Sequence, residues 1–403
     1  MPSPQRAAVA ETPAASMPVS TMPKGMITLF AFCCGAIVAN LYYAQPVISL
    51  IAPDIGMSPF LASLIVSLTQ IGYALGLFFL VPLGDILENR RLMMATVSVC
   101  ILSLVGAALA TSSNAFLLLS LLIGFSSVAV QIIVPLAAHL APEASRGRVV
   151  GGIMSGLLLG ILLARPMSSF IAGHFGWRAV FAAAALMMAG ILAVFAVKMP
   201  VRQPQHQAGY GALLRSLGTL MLRFPVLRQR AFYQACMFAS FSLFWTAAPL
   251  ELARTYGFSQ GQIALFCLAG AVGAIAAPIG GRLADAGHTL AATRWALAGA
   301  ALSYAPALFG NAWGFVGLAL TGILLDFCVQ MNMVLGQRDI YGLDAASRGR
   351  LNALYMTSIF IGGAAGSSVA SSLYGHGGWM WIALVGAGFP LLALARQLAA
   401  PAR

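Results

Sequence analysis

Charge is scarce in this sequence, and acidic charge is scarcest. Of 403 residues, 8% are Asp, Glu, Lys or Arg and ten in all are acidic, where a soluble domain carries about 25% charged residues. So few polar side chains cannot cover a water-facing surface of that size, which excludes a soluble globular fold. A membrane-embedded enzyme would need a nucleophile–base pair or a set of metal ligands. Ten acidic residues spread mostly over loops, and five scattered histidines, supply no such cluster, so no catalytic, cofactor or metal site is expected. Cys33, Cys34, Cys100, Cys236, Cys267 and Cys328 form no CxxC pair. Neither a disulfide framework nor a zinc site is indicated, and the thiols read as small apolar packing groups. A signal-peptide pattern is also missing. The first 24 residues are rich in Ala, Pro and Ser, and the long apolar run after them has no cleavage-like site close behind it.

What the sequence has instead is apolar length. Sixty per cent of it is hydrophobic, and runs near the roughly 20 residues needed to cross a bilayer recur from end to end. Spans are expected at 26–51, 60–83, 92–112, 115–140, 149–173, 177–198, 231–253, 260–282, 290–310, 312–337, 351–374 and 379–398. The charge that exists is basic, formally +12, and it falls almost wholly on one side of this map. Arg90, Arg91, Arg148, Arg282, Arg338, Arg348 and Arg350 lie there, with the run from Lys198 to Arg230. Arg178 and Arg254 lie in loops of the other side, and Arg165 lies inside a span. The positive-inside rule then puts both termini in the cytoplasm, which an even number of spans allows. The basic balance is thus a topology signal; the expected surroundings are a lipid bilayer, and no nucleic-acid partner is expected. The Arg-rich, Lys-poor, Ala-rich composition suits a bacterium with GC-rich DNA, hence its inner membrane.

An internal repeat organises the chain. Ser145-Arg146-Gly147-Arg148 recurs as Ser347-Arg348-Gly349-Arg350, and His174, Gly176 and Trp177 recur as His376, Gly378 and Trp379. Gly56-Met57-Ser58 is echoed by Gly257-Phe258-Ser259, and Asp85 by Asp285. The expected fold class is an all-α membrane protein with 12 transmembrane helices in two pseudo-symmetric six-helix bundles. Its parts are a disordered tail over 1–25, a bundle over 26–198, a cytoplasmic loop over 199–230 broken by Pro204 and Pro225, and a second bundle over 231–403. A parallel six-plus-six repeat suits a transporter that rocks two halves about a central site. Gly152, Gly156, Gly160 and Ala164 form a small-residue ridge on span five, as do Gly362, Gly366 and Ala370 on span eleven. Such ridges let helices approach closely, either as static packing or as a sliding surface between the halves.

Leu83-Gly84-Asp85-Ile86-Leu87-Glu88-Asn89-Arg90-Arg91, between spans two and three, resembles the loop signature of the major facilitator superfamily. Gly281-Arg282-Leu283-Ala284-Asp285 is similar to a partial second copy. The stretch from Gly156 to Pro166 resembles the glycine–proline signature of the drug–proton antiporter branch, departing from it at Arg165. Asn40-Leu41-Tyr42-Tyr43-Ala44-Gln45-Pro46 is similar to the opening helix of its nucleoside and arabinose efflux-like exporters. The resemblance implies the major facilitator fold and proton-coupled export of a small solute, a monomer sufficing. It also implies a conformational gate of Asp85, Arg90, Arg91 and Asp285, with Ile86 and Asn89 standing where basic residues are common.

Two ionisable residues fall well inside spans: Arg165 in span five and Asp326 in span ten. Charges at such depth usually face a cavity or a partner. Three roles stay open for Asp326 beside that of a fixed structural carboxylate: proton carrier, ion-pair partner of Arg165, or contact to a cationic solute. Arg165 equally suits an anionic group on a solute. Asp326, Gln330 and Gln337 form a polar stripe at helical spacing, with Ser127 and Gln131 near the corresponding places on span four. Gln234, Phe238, Phe241 and Trp245 line one face of span seven, while Asn40 and Tyr43 share a face of span one. Asp326 and Arg165 are therefore the coupling candidates, and Asn40, Tyr43, Gln131, Trp245 and Gln330 the solute-contact candidates, for a small amphipathic or ring-bearing molecule. Proton symport, facilitated uptake and a non-transporting sensor or scaffold are the alternatives.

Overall fold

A computed structural model describes residues 23–142, 145–203, 209–308, 310–344 and 347–399. The tail expected over 1–25 falls outside these but for residues 23–25, where the first helix starts. Among the described residues there is no strand, and the chain makes twelve passes. The first is α1 (Lys24–Ala39), a 3₁₀ turn at Gln45–Val47 and α2 (Ile48–Asp54); the second is α3 (Pro59–Phe79) and the third α4 (Asn89–Leu109). The fourth is α5 (Ser113–Ser126) with α6 (Val130–Leu140), the fifth α7 (Arg146–Phe175) and the sixth α8 (Trp177–Lys198). After α9 (Tyr210–Arg223), the seventh pass is α10 (Pro225–Arg254). The eighth is α11 (Gln260–Cys267), a 3₁₀ stretch over Leu268–Ile275 and α12 (Ala276–Asp285). The ninth is α13 (Thr289–Leu302), followed by α14 (Ala305–Leu308); α15 (Gly310–Tyr341) is the tenth. The eleventh is α16 (Arg348–Ser368), and α17 (Ala370–Leu398) carries the twelfth beyond a break at Gly377 and Gly378. Among the described residues, eight helical segments are long and apolar enough to cross a membrane; the first, eighth, ninth and eleventh passes are broken, short or more polar.

The repeated tripeptides have a backbone cause. Gly56 and Gly257 take φ of +66° and +64°, a left-handed conformation that glycine adopts without steric cost and that ends the preceding helix. Ser58 and Ser259, two residues on, then cap α3 and α11 through their side-chain oxygens, satisfying a backbone N–H that a helix start leaves without a partner. Gly176 and Gly378 likewise take positive φ just ahead of Trp177 and Trp379. Duplication kept the turn chemistry in both halves.

The glycine ridges work inside each half, so the sliding-surface expectation is corrected. A Cβ on Gly156 would lie 2.5 Å from the Ala31 carbonyl oxygen, and one on Gly160 2.2 Å from that of Gly35, which presses α7 onto α1. In the second half, Gly362 and Gly366 meet the Ala235 and Ala239 carbonyls at 2.2 and 2.0 Å in the same sense. This is backbone-on-backbone packing within a bundle.

The central connection also differs from an open loop. It contains α9, and Pro225 opens α10 as its first residue rather than interrupting it, a position where the missing N–H costs nothing. Arg230, expected in the loop, is therefore a buried helix residue. Its guanidinium bonds the Asp339 carboxylate at 2.6 Å and the Thr293 hydroxyl at 2.7 Å, tying α10, α13 and α15 together.

The halves meet mainly towards the arginine-poor end. There α3 lies against α16, with Ser67 and Ser367 hydroxyls 2.9 Å apart and Ser63 donating to the Ser368 carbonyl at 2.9 Å. Further contacts join α7 to α11, where Gly173 faces Gln260, and α3 to α17. At the arginine-rich end, α9 bridges the halves. The Tyr210 hydroxyl donates to the Phe79 carbonyl, and Arg350 donates to the Ser216 hydroxyl, both at 2.9 Å.

Candidate functional site

Arg165 sits in α7, one residue before Pro166 and 4% exposed. It leaves its own half: its guanidinium carbon lies 5.1 Å from the Phe241 ring centre and 4.6 Å from that of Trp245, both on α10. From the first half, Tyr42 adds a third ring at 5.0 Å. The weakly hydrated, planar guanidinium suits such a box, and each desolvated cation–ring contact contributes about 2 kcal/mol. Arg165 Nε donates to Gln45 Oε1 at 2.8 Å. A guanidinium only donates, so this bond fixes which end of the Gln45 amide faces it.

Trp245 is fully buried, and its indole N–H donates to Asp326 Oδ1 at 2.8 Å. Asp326 is hemmed in by the 3₁₀ stretch of the eighth pass. A Cβ on Gly270 would lie 2.5 Å from Asp326 Oδ2 and 2.9 Å from the indole, and one on Gly273 would lie 2.6 Å from Asp326 Cβ. The two membrane-embedded charges are thus brought to the two sides of one indole rather than into direct contact. Ion pairs elsewhere include Arg91–Glu88, Arg178–Asp54, Arg230–Asp339 and Arg338–Asp285. Arg165 and Asp326 share Trp245 instead, one on the ring and one on its N–H.

The other candidates divide. Gln131 donates to the Tyr73 hydroxyl at 3.2 Å, and the Tyr73 ring meets Phe360 of the second half with centres 4.5 Å apart. Phe360 meets Phe238 at 5.2 Å, and Phe238 stacks on Phe241 at 5.1 Å. Gln131 therefore stands at one end of an aromatic chain whose other end is Trp245. Asn40 does not join it: it is buried in the first half, with Nδ2 on the Ile37 carbonyl at 3.1 Å and Met188 Sδ at 3.4 Å. Tyr43 is half-buried, with its carbonyl accepting from the Ser168 hydroxyl at 2.5 Å, while its neighbour Tyr42 faces Arg165. The reason is that α1 stops at Ala39 and residues 40–44 run through turns, so helical spacing no longer predicts the facing. Gln330 is half-buried on α15. Gln234 turns into its own half, where its Oε1 accepts from Asn332 at 2.6 Å. Asn40 and Gln234 thus face into their own halves. A cavity of about 480 Å³ lies elsewhere, an apolar groove between α12, α13 and α15 near His288, Trp295 and Met331.

Of the gate residues, Arg90, Arg91 and Asp285 make contacts within their own halves. Arg90 donates to the Ala196 carbonyl in the last turn of α8, where cations are favoured. Arg91 pairs with Glu88 at 2.9 Å, and Asp285 pairs with Arg338 at the end of α15. Asp85 follows the second pass in a short 3₁₀ turn, Val81–Asp85. Sequence reasoning missed Gln45, Tyr42, Gly270 and Gly273 as parts of the site. The one signal for Gln45 was an amide in mid-span directly before a proline.

Two six-helix bundles packed across a seam at which buried Arg165 of one meets Trp245 of the other have the architecture of a membrane transporter. The chain belongs to the Major Facilitator Superfamily, whose family profile matches residues 28–341. It is 40% identical over 381 residues to "Uncharacterized transporter YgaY" of Escherichia coli O157:H7, covering 94% of this chain and 96% of that one. It is 32% identical over 410 residues to "Probable transporter SCO4007" of Streptomyces coelicolor, covering 100% of this chain and 95% of the relative. Among solved structures it resembles a mutant of the nucleoside transporter NupG, with a TM-score of 0.75, 13% identity and coverage of 93% and 99%. It also resembles a D-xylose–proton symporter, with a TM-score of 0.72, 16% identity and coverage of 93% and 97%.

Proposed function

We propose that this chain is a proton-coupled exporter of a small organic solute, working by alternating access in a bacterial inner membrane with both termini cytoplasmic. The observation that carries this reading is Arg165 of one half lodged among Phe241 and Trp245 of the other, with Trp245 held by Asp326. Rocking the halves apart pulls Arg165 off these rings, so the contact has a different strength in the two conformations. A differential contact of this kind is what a ligand or a proton must act on to shift the equilibrium. Neutralising Asp326 loosens Trp245, and through it Arg165. A proton on one carboxylate is thereby linked to the closure of the halves. By the positive-inside rule the arginine-rich end is cytoplasmic, so halves packed at the other end correspond to a state closed to the periplasm. A single copy contains the whole seam, so a monomer suffices.

The test is proton movement in liposomes containing the purified chain, followed with an internal pH dye while solutes are added. A solute-triggered pH change that Asp326→Asn abolishes is expected, its sign giving export or uptake. Solute flux with unchanged pH dependence in Asp326→Asn would sink the coupling role.

A further inference from the structure

We infer that the solute is an organic monoanion, a carboxylate on a flat apolar body, seated on Arg165 and Gln45; this rests on the junction being the transport site. Two fully buried donors there have no acceptor: Arg165 Nη2 and Gln45 Nε2. The Gln45 carbonyl is already committed to Arg165 Nε, so both unfilled valences are N–H donors that need an acceptor. Ser169, one turn along α7 from Arg165, has a buried hydroxyl without a partner as well, and a hydroxyl can also donate. Buried polar groups in folded proteins are nearly always bonded, and leaving one unmade is costly. The donors orphaned beside Arg165 ask for an acceptor, and an anion answers the guanidinium's charge as well.

The charge count narrows the class. Arg165 is one fixed positive charge. The other buried arginine, Arg230, is engaged by Asp339 and Thr293. With Asp326 protonated, one guanidinium and a neutral amide balance one negative charge, which favours a carboxylate over a phosphate dianion. A cationic solute meets repulsion from Arg165, while Asp326 is already held by the Trp245 N–H and hemmed in by Gly270. The rings of Tyr42, Phe241 and Trp245 that now cover the guanidinium supply faces on which a planar apolar body stacks once the carboxylate takes the donors.

The experiment uses purified full-length chain in lipid nanodiscs with benzoate, cinnamate and indole-3-acetate. Each is paired with its neutral amide, and benzylammonium serves as the cation. Thermal unfolding and tryptophan fluorescence report binding. Each carboxylate is expected to bind at least tenfold more tightly than its amide, and benzylammonium not to compete. Arg165→Gln should remove that preference, and Arg165→Lys should retain part of it. Amides or benzylammonium binding as well as carboxylates, no carboxylate binding at all, or an unaltered preference in Arg165→Gln would overturn the inference. The ligand series on the native chain needs no variant to fold. Flux of a neutral or cationic solute with every carboxylate silent would sink the substrate class and leave the transporter standing. Carboxylate binding without flux from either side would do the reverse.

Discussion

At the offset that relates Ser145 to Ser347, Arg165 of the first half corresponds to Ser367 of the second, whose hydroxyl lies 2.9 Å from that of Ser67. Asp326 corresponds to the stretch Gly124-Phe125-Ser126, where Gly124 is pressed against the Thr69 carbonyl. Neither charge has an ionisable twin. The backbone devices do have twins: the positive-φ glycines, the capping serines and the ridges of α7 and α16. Two bundles of the same fold need the same internal packing, so duplication preserves it. On the alternating-access reading proposed above, the seam opens and closes, and it needs complementary rather than identical sides. The asymmetry of Arg165 and Asp326 is what makes one side a cation and the other an aromatic cradle anchored by a carboxylate.

The largest effect that would break this contrast is expected at Gly270→Val. A Cβ there already strikes Asp326 Oδ2 at 2.5 Å and Trp245 at 2.9 Å, so the larger side chain must displace one of them. Overpacking costs about 1–3 kcal/mol. Borne by one conformation only, this shifts the balance between states on the order of ten- to a hundredfold. Solute flux in liposomes should fall accordingly. Gly281→Val, on the same pass with open space around its Cβ position, should leave flux near the native rate. Equal losses in the two variants would mean that the eighth pass does not act through Asp326.

A second, smaller effect contrasts the interiors of the halves. The second half holds Arg230 between Asp339 and Thr293. Asp339→Asn leaves a buried guanidinium without its counter-ion, a change that costs about 3 kcal/mol and should lower the unfolding temperature in detergent without altering solute preference. Arg230→Met combined with Asp339→Asn should recover most of that loss, because a buried pair is worth little over an apolar replacement. A double variant as unstable as the single one would show that the pair itself holds the bundle.

The sequence made the fold legible because spans, turn glycines and the positive-inside pattern are local signals. Arg165 and Asp326 were legible because charge is rare at membrane depth. Their relation was not, since it depends on which face of α7 meets which face of α10, and no periodicity within one helix reports that. Tyr42 and Gln45 were hidden by the break after Ala39, which shifts side-chain phase within a single apolar run. Arg230 and Asp339 looked like loop charges because both lie within helices that extend beyond the apolar core. Asn40 looked like a cavity residue because a polar side chain in mid-span carries no mark of whether it faces a seam or its own bundle.

The smallest expected effect lies at the arginine-poor end of the first half. Asp54 closes α2, where a helix C-terminus disfavours negative charge, yet it accepts from Arg178 and from the Trp177 indole at 3.1 Å. The Arg178 hydrogen bond first, and that of Trp177 second, hold its carboxyl below the usual carboxylate range. A depressed folded-state value means that the stabilisation is present above the unfolded value of about 3.9 and is lost as pH falls through the folded one. Asp54→Asn should therefore lower the unfolding temperature slightly at pH 7, since an exposed pair contributes little. The gap from the native chain should close as the buffer is taken towards pH 3. The second half ends differently, with Glu251 accepting from the Tyr374 hydroxyl at 2.7 Å. A gap that persists or widens in acid would mean that Asp54 acts through the shape of the turn rather than through its charge. The outer ends of the two halves would then be alike in mechanism after all.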